Sequence, residues 1–265
     1  MKRLVISLAL WSGLAHASPL TILIDAGHGG RDHGAVRNGV HEADITLAVS
    51  RDLRDLLKRD HRFQVSLSRE DDDSVSLYRR ARMAKDKKAD LFLSIHVNSS
   101  PDARAKGAEF YFQNQLTPDQ ESMLLAHKED VAEAGEEGGA APQARGSPSV
   151  QPITYDYLDK NNYSPEVASI LNDLLDSDRV WRSSEFSKAL KIKWRGTRKS
   201  KTNSVRQAPF YVLNQMRTPS TLVELGFLTN ADDFRELTDP AVQHKMAEDL
   251  YHGIVAYKES MDKGT

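Results

Sequence analysis

Short apolar runs alternate along this chain with longer segments in which apolar positions recur every three to four residues. The short runs are rich in β-branched residues and are bounded by turn residues, so they predict strands. Strands are predicted at residues 21–24, 63–67, 91–95, 108–112 and 220–223. The run at 91–95 is apolar at nearly every position, which is typical of a central strand covered on both faces of a sheet.

The periodic segments predict helices with one apolar and one charged face. Helices are predicted over 43–58, from Ser74 or Ser76 to about residue 88, over 183–194, and from residue 239 onward. Another opens at residues 164–166, with Pro165 in its first turn and Val167, Ile170 and Leu174 on one face. The many basic residues of the second helix, Arg80 among them, are interpreted as a solvated face.

The segment between the strands at 108–112 and 220–223 differs in pattern from the rest of the chain. Residues 117–134 are a charged helical stretch, and residues 135–152 are rich in Gly, Ala, Pro, Ser and Gln, which predicts a flexible linker. We therefore expect residues 115–196 to be an insertion within a single domain that spans residues 18–262.

The first 17 residues have the composition of a secretory signal peptide. Lys2 and Arg3 precede an apolar run at residues 4–14, and Ala15 and Ala17 place small residues at the cleavage positions. Cleavage after Ala17 would leave a periplasmic or secreted protein. A short buried helix is the alternative interpretation of this segment.

Composition excludes several kinds of function. The chain of 265 residues has no cysteine, so a thiolate metal site, a cysteine nucleophile and a disulfide framework are all excluded. The 36 basic and 38 acidic residues give a net charge of −2, which becomes −4 without Lys2 and Arg3. This balance gives no basic field that would attract a nucleic acid.

Four ionisable side chains lie where predicted elements end or begin. His28 lies in a glycine loop after the first strand, His96 follows the run at 91–95, Glu224 follows the run at 220–223, and Glu42 opens the first helix. In open α/β sheets, ligands bind at the carboxyl ends of the strands. Two histidines and one glutamate form a complete protein ligand set for a catalytic zinc. Glu224 is then placed to act as a general base on water.

Each of these residues also has a structural interpretation. A lone loop histidine such as His28 is usually a solvated polar residue, and Glu42 is a favourable acid at a helix N-terminus in any protein. A structural carboxylate is the alternative interpretation of Glu224, beside a strand. Asp25 is expected to orient His28 or to cap its loop rather than to bind metal. The six other histidines that follow the predicted signal peptide are interpreted as surface or structural residues.

Six segments carry a resemblance to a known family. They are IDAGHGGRDHGA (24–35), VHEADITLAVS (40–50), LFLSIHVN (91–98), KGAEFYF (106–112), RQAPFYVL (206–213) and STLVELGFLTN (220–230). At these residues the chain resembles the zinc-dependent N-acetylmuramoyl-L-alanine amidases of the bacterial cell-wall amidase family. The resemblance implies an α/β fold with an open, mostly parallel mixed sheet, helices on both faces and a helical insertion near the active site.

The resemblance also implies an activity. The expected reaction is hydrolysis of the amide between N-acetylmuramic acid and L-alanine in peptidoglycan, for wall remodelling and daughter-cell separation, with one zinc ion per chain. Two other functions stay open from the residues: a carboxypeptidase-like exported zinc peptidase and a non-catalytic wall-binding regulator.

Regulation is implied by the same resemblance. Some family members carry a helix that plugs the active site through a glutamate, and Glu129 falls at that position here. The alternative is that residues 117–134 form only a charged surface helix. We expect a monomer that binds peptidoglycan, and a LytM-type activator protein is the expected means of displacing the helix.

Overall fold

A central sheet and its flanking helices account for most of the computed structural model, which describes residues 18–114, 118–134, 163–196 and 205–263. The predicted signal peptide and linker lie outside these residues. The strands are β1 (Leu20–Ala26), β2 (Val36–Arg37), β3 (Val40–His41), β4 (Phe63–Leu67), β5 (Leu91–Asn98), β6 (Glu109–Phe112), β7 (Val205–Gln207) and β8 (Ser220–Phe227). The helices are α1 (Glu42–Lys58), α2 (Leu77–Asp86), α3 (Gln120–Ala134), α4 (Pro165–Lys193), α5 (Tyr211–Asn214), α6 (Ala231–Leu237) and α7 (Pro240–Lys263).

Six of the strands form one mixed sheet in the order β4-β1-β5-β8-β6-β7, and β2 pairs with β3 in a separate hairpin. Every pairing in the large sheet is parallel except that of β6 with β8. The predicted mostly parallel mixed sheet is therefore confirmed. Its register places Glu224 beside His96 on one side and beside Glu109 on the other.

Successive side chains of a strand point to opposite faces, so each face of the sheet has its own core. On β1, Ile22 and Ile24 join the larger core, to which α1, α4 and α7 contribute. Leu23 joins the smaller core, together with Leu125 of α3 and residues of α2 and α5. The sheet thus has helices on both faces, as predicted, and α3 covers the same face as α2.

Strand ends differ from the prediction in a way that matters for the site. β5 continues to Asn98 and β8 continues to Phe227, so His96 and Glu224 lie within strands rather than after them. The pairing of β5 with β8 shifts register between His96 and Asn98. Polar residues at these positions made the runs look shorter than they are, because burial of charged groups is not visible in a hydropathy pattern.

The insertion also differs from the prediction. The two helices predicted at 164–175 and 183–194 are one continuous helix, α4, with Ser164 as its N-cap. Only its second half packs into the core, where Phe186 is fully buried. Val167, Ile170 and Leu174, predicted to share one face, are 43–62% exposed. Periodicity could not show whether a neighbouring element covers these side chains. No helix in the described part of the chain is both long and apolar enough to cross a membrane.

Truncating a side chain in one half of α4 should affect the free energy of unfolding differently from truncating one in the other half. Phe186→Ala should lower the free energy of unfolding by about 3–5 kcal/mol, because it leaves a cavity in a packed core. Ile170→Ala, at a side chain 60% exposed, should change it by less than about 0.5 kcal/mol. Urea unfolding of both variants measures this, and equal losses would contradict the separation into a packed and an unpacked half.

Candidate metal centre

His28 is held in an unusual backbone conformation. Its φ is 58°, in the left-handed region that side-chain-bearing residues seldom adopt. Guanidinium groups fix the loop around it: Arg80 Nη2 donates to the His28 carbonyl at 2.8 Å, and Arg69 Nη2 donates to the Gly27 carbonyl at 2.9 Å. A Cβ atom at Gly27 would lie 2.5 Å from the His96 ring, so only glycine lets this loop approach β5 so closely.

Glu42 is the first residue of α1, and its carboxylate is anchored on both oxygens. Oε2 accepts a hydrogen bond from the Ala35 amide at 2.9 Å, and Oε1 accepts one from the Val97 amide at 2.8 Å. The partial positive charge of the helix N-terminus adds to the stabilisation of this buried carboxylate. Glu42 therefore reaches the end of β5 in a fixed orientation.

Four side chains converge at this point. His28, Glu42, His96 and Glu129 each offer a ligand atom, these atoms lie within 4.8 Å of one another, and all four residues are buried. Glu42 Oε1 lies 3.1 Å from both His28 Nε2 and His96 Nδ1. Glu129 Oε2 lies 3.1 Å from His28 Nε2 and 3.6 Å from His96 Nδ1. The structure thus brings together the three predicted ligands and the predicted regulatory residue.

The charges of the cluster show what it is suited to bind. Burial lowers the pKa of His28, but the Glu42 charge and the hydrogen bonds of Asp32 and Glu129 outweigh burial and raise it well above the usual range. Against the opposing effect of burial, hydrogen bonds with Glu129 and Glu42 raise the pKa of His96 to about 10. Burial and the Glu42 charge raise the pKa of Glu129, but hydrogen bonds with His28 and His96 lower it to about 2. Ionised carboxylates around two imidazoles are a site for a cation, and a metal ion can take the place of the histidine protons.

Glu224 completes the site from β8. The side chain is fully buried, and neither carboxylate oxygen has a hydrogen-bond partner in the part of the chain that the structure describes. Burial, followed by the nearby Glu129 charge, raises the pKa of Glu224 well above its usual range. An unpartnered buried carboxyl costs free energy, which is typical of a group that works on a bound ligand. The donor set of the cluster and this orphaned carboxyl both fit a metal-assisted reaction.

Sequence reasoning misassigned the residue that orients His28. Asp32 Oδ2 lies 2.7 Å from His28 Nδ1. Asp25 instead accepts hydrogen bonds from Arg80 at 2.6 Å and Ser94 at 3.0 Å, so its predicted role beside His28 was wrong. A carboxylate on the outer ring nitrogen directs the other nitrogen to the metal, as in many histidine metal sites. The spacing of four residues between His28 and Asp32 was the only available signal.

The solvated interpretation of Arg80 was also wrong. The side chain is only 1% exposed and donates to the carbonyls of Ala26 and His28 as well as to Asp25. Arg69, at 3% exposed, supports the same loop from the end of β4. The spacing of an arginine in the sequence does not distinguish a buried side chain from a surface one, because the residue type is charged in both cases.

The family model described as N-acetylmuramoyl-L-alanine amidase matches residues 22–256 of this chain. The chain belongs to this family. It is therefore an N-acetylmuramoyl-L-alanine amidase, a hydrolase that acts on the cell wall, and the non-catalytic interpretation is set aside. All the residues of the cluster lie within the matched segment.

Relatives with known names agree with this. N-acetylmuramoyl-L-alanine amidase AmiA of Salmonella typhimurium is 31% identical over 238 residues, which is 89% of this chain and 75% of the relative. The catalytic domain of CwlV, an N-acetylmuramoyl-L-alanine amidase from Bacillus (Paenibacillus) polymyxa var. colistinus, has the same fold, with a TM-score of 0.58 at 23% identity over 91% of this chain and 98% of CwlV. The CwlD amidase of Clostridioides difficile, solved in complex with the GerS lipoprotein, matches with a TM-score of 0.61 at 24% identity, over 91% of this chain and 99% of CwlD.

Asp32 offers a test of the cluster as a metal site. Asp32→Ala should lower the affinity for a divalent metal by about 10- to 100-fold, since the orientation of His28 is lost. Competition with a chromophoric chelator measures this affinity. Asp44→Ala, at a carboxylate 67% exposed beside His41, is the matched control and should leave it unchanged. Equal affinities in the two variants would show that Asp32 does not support a metal ligand.

Proposed function

We propose that this amidase is zinc-dependent and acts in wall remodelling and daughter-cell separation, with His28, Glu42 and His96 as the zinc ligands. The buried set of two imidazoles and one anchored carboxylate carries the proposal, because it is a ligand set that zinc prefers in hydrolases. Zinc, when bound, supplies Lewis acidity that polarises the scissile carbonyl and lowers the pKa of water.

Glu224 is the proposed general base. Its carboxyl lies on the strand next to His96 and has no other partner in the described structure, so it is available to accept the proton of the attacking water. The same group then returns the proton to the amine of L-alanine as the amide bond breaks. The raised pKa of Glu224 makes its carboxylate a stronger proton acceptor in the first step.

Glu129 is proposed to inhibit the enzyme. It takes up the position in the cluster that water or substrate would need, and Lys128 next to it donates to Ser99 Oγ at 2.8 Å. Among the described side chains of α3, few apolar ones hold the helix in place: Leu125 and Ala126 are buried, whereas Leu124 and Val131 are 63% and 47% exposed. Burying one leucine contributes roughly 1.5–3 kcal/mol. A helix docked through few apolar contacts can be displaced at a low cost in free energy, as an inhibitory segment requires.

The means of release is proposed to be a partner protein of the LytM type. CwlD, a relative by fold, was solved in complex with a lipoprotein, which shows that a protein of this fold can bind a protein partner. The substrate is peptidoglycan, so we propose that the chain acts outside the cytoplasm after removal of residues 1–17. A monomer is the proposed working form.

Zinc dependence and the role of Glu224 can be tested together. Purified peptidoglycan should release intact stem peptides in the presence of zinc, and a chelator should abolish release until zinc is returned. Glu224→Gln should lower release by at least about 100-fold, because it removes proton transfer while keeping the shape of the side chain. Product masses identify the bond that is cut. Unchanged activity in the Gln variant at full zinc occupancy would exclude Glu224 as the base.

Inhibition by α3 is tested through Glu129. Glu129→Ala should raise the rate of stem release by about tenfold or more, since a carboxylate 3.1 Å from His28 and 3.6 Å from His96 is lost. His127→Ala, at an exposed side chain on the same helix, is the control and should change little. If the Glu129 variant has the same or a lower rate, with zinc bound, α3 is a surface helix and not a plug.

A further inference from the structure

Arg206 on β7 lies on the far side of β6 from Glu224, and its guanidinium is nearly buried, at 9% exposed. Nη1 donates to Glu109 Oε1 at 2.8 Å, and the group lies 5.7 Å from the centre of the Tyr111 ring. Glu109 is itself buried and also accepts from the Tyr111 hydroxyl at 2.8 Å and from Asn98 at 3.3 Å. One end of the guanidinium is therefore fixed by a buried network.

The other end of the guanidinium points to α3. Nη2 donates to Asp119 Oδ1 at 3.0 Å and to Glu121 Oε2 at 2.7 Å. Both carboxylates come from the start of α3 and are largely exposed, at 54% and 72%. The planar fork of arginine is the side chain best matched to a carboxylate. When α3 leaves, this end of Arg206 loses both of its carboxylates while Glu109 stays in place.

The cluster and Arg206 are separated by a distance that α3 spans. Between β5 and β7 the order of the sheet gives three strand-to-strand steps, roughly 14 Å at the usual spacing. Along α3, Glu121 and Glu129 are eight residues apart, roughly 12 Å. The helix thus presents one carboxylate at the cluster and others at Arg206. An extended peptide covers the same length in about four residues.

We propose that Arg206 is a specificity-determining residue that binds a carboxylate of the peptide stem, in the place that Asp119 and Glu121 take while α3 is docked. This inference rests on the proposed function. The stem begins at the scissile amide and carries free carboxylates beyond its first residue. With its amide at the cluster, an extended stem reaches Arg206 within the length given above.

Charge makes this position selective. Glu224 and Glu109 lie in register on neighbouring strands between the cluster and Arg206, and Glu109 is already paired with Arg206 Nη1. Arg206 offers a cation at one defined distance from the cluster. A stem carboxylate is therefore favoured at that distance, which sets the register of the peptide relative to the scissile bond.

The test uses the mature full-length chain with Glu129→Ala in every variant, so that inhibition does not differ between them. The substrates are an N-acetylmuramoyl tetrapeptide with free carboxylates and the same molecule with every carboxylate amidated. Arg206→Met should lower kcat/KM, mainly through KM, at least about 10-fold more on the free than on the amidated substrate, which is the value of a charge-assisted hydrogen bond. Arg206→Lys, which keeps the charge but not the fork, should give a smaller difference.

Controls separate this role from others. Arg235→Met, at a side chain 74% exposed on α6, should leave the ratio of the two substrates unchanged. An equal fall on both substrates in the Arg206 variants would mean that Arg206 only supports the structure. An equal rise on both would mean that it only fastens α3. Either result overturns the proposal.

A binding measurement keeps this proposal distinct from the proposed function. Calorimetry with the free tetrapeptide and its amidated form reports the role of Arg206 whether or not the chain cleaves anything. Loss of the preference for the free form in Arg206→Met supports the proposal, and an unchanged preference contradicts it. Absence of zinc-dependent cleavage by the Glu129→Ala chain would count against the proposed function alone.

Discussion

The Glu42 carboxylate is the interaction on which the rest of the site depends. It stands at the N-terminus of α1, accepts amide hydrogen bonds from Ala35 and Val97, and lies 3.1 Å from both histidines of the cluster. A buried carboxylate is costly unless it is hydrogen-bonded and paired, and here those contacts come from two segments besides α1: the loop between β1 and β2, and strand β5. This loop, α1 and β5 must therefore all be in place before the site exists.

Much of the fold could be predicted because it follows from patterning. The five predicted strands belong to the central sheet, and the predicted start of the first helix at residue 43 differs from the observed start at Glu42 by one residue. The four residues with predicted chemistry also come together, since neighbouring parallel strands bring their carboxyl-terminal parts to one side of the sheet. What failed was the assignment of environment. Arg80 and Asp25 pair in the interior, although the pattern predicted a solvated Arg80 and an Asp25 that orients His28 or caps its loop. Ile170 is exposed, although it was predicted to lie on the apolar face of a helix.

These failures share a physical cause. Hydropathy reports the average preference of a residue type, whereas the loop around His28 needs hydrogen-bond donors for three successive buried carbonyls. Arg69 and Arg80 supply them, and Asp25 offsets part of their charge. A requirement of this kind arises from backbone geometry, here a metal-ligand candidate with a φ of 58°, and backbone geometry is not written in the periodicity of the side chains.

Among its described residues, α3 buries few apolar side chains, yet specific charged contacts fix its position against the sheet. Ordering a backbone costs about 1–2 kcal/mol per residue. Over a helix of 15 residues this is more than the buried apolar side chains in the described part of α3, Leu125 and Ala126, can offset. Its charged contacts therefore carry a large share of its docking: Arg206 at its start, and Glu129 at the cluster. The partners of those contacts are cations that a peptidoglycan stem or a metal ion would also engage. If both proposals hold, docking of α3 and binding of substrate compete for the same charges, and inhibition and specificity draw on one set of residues.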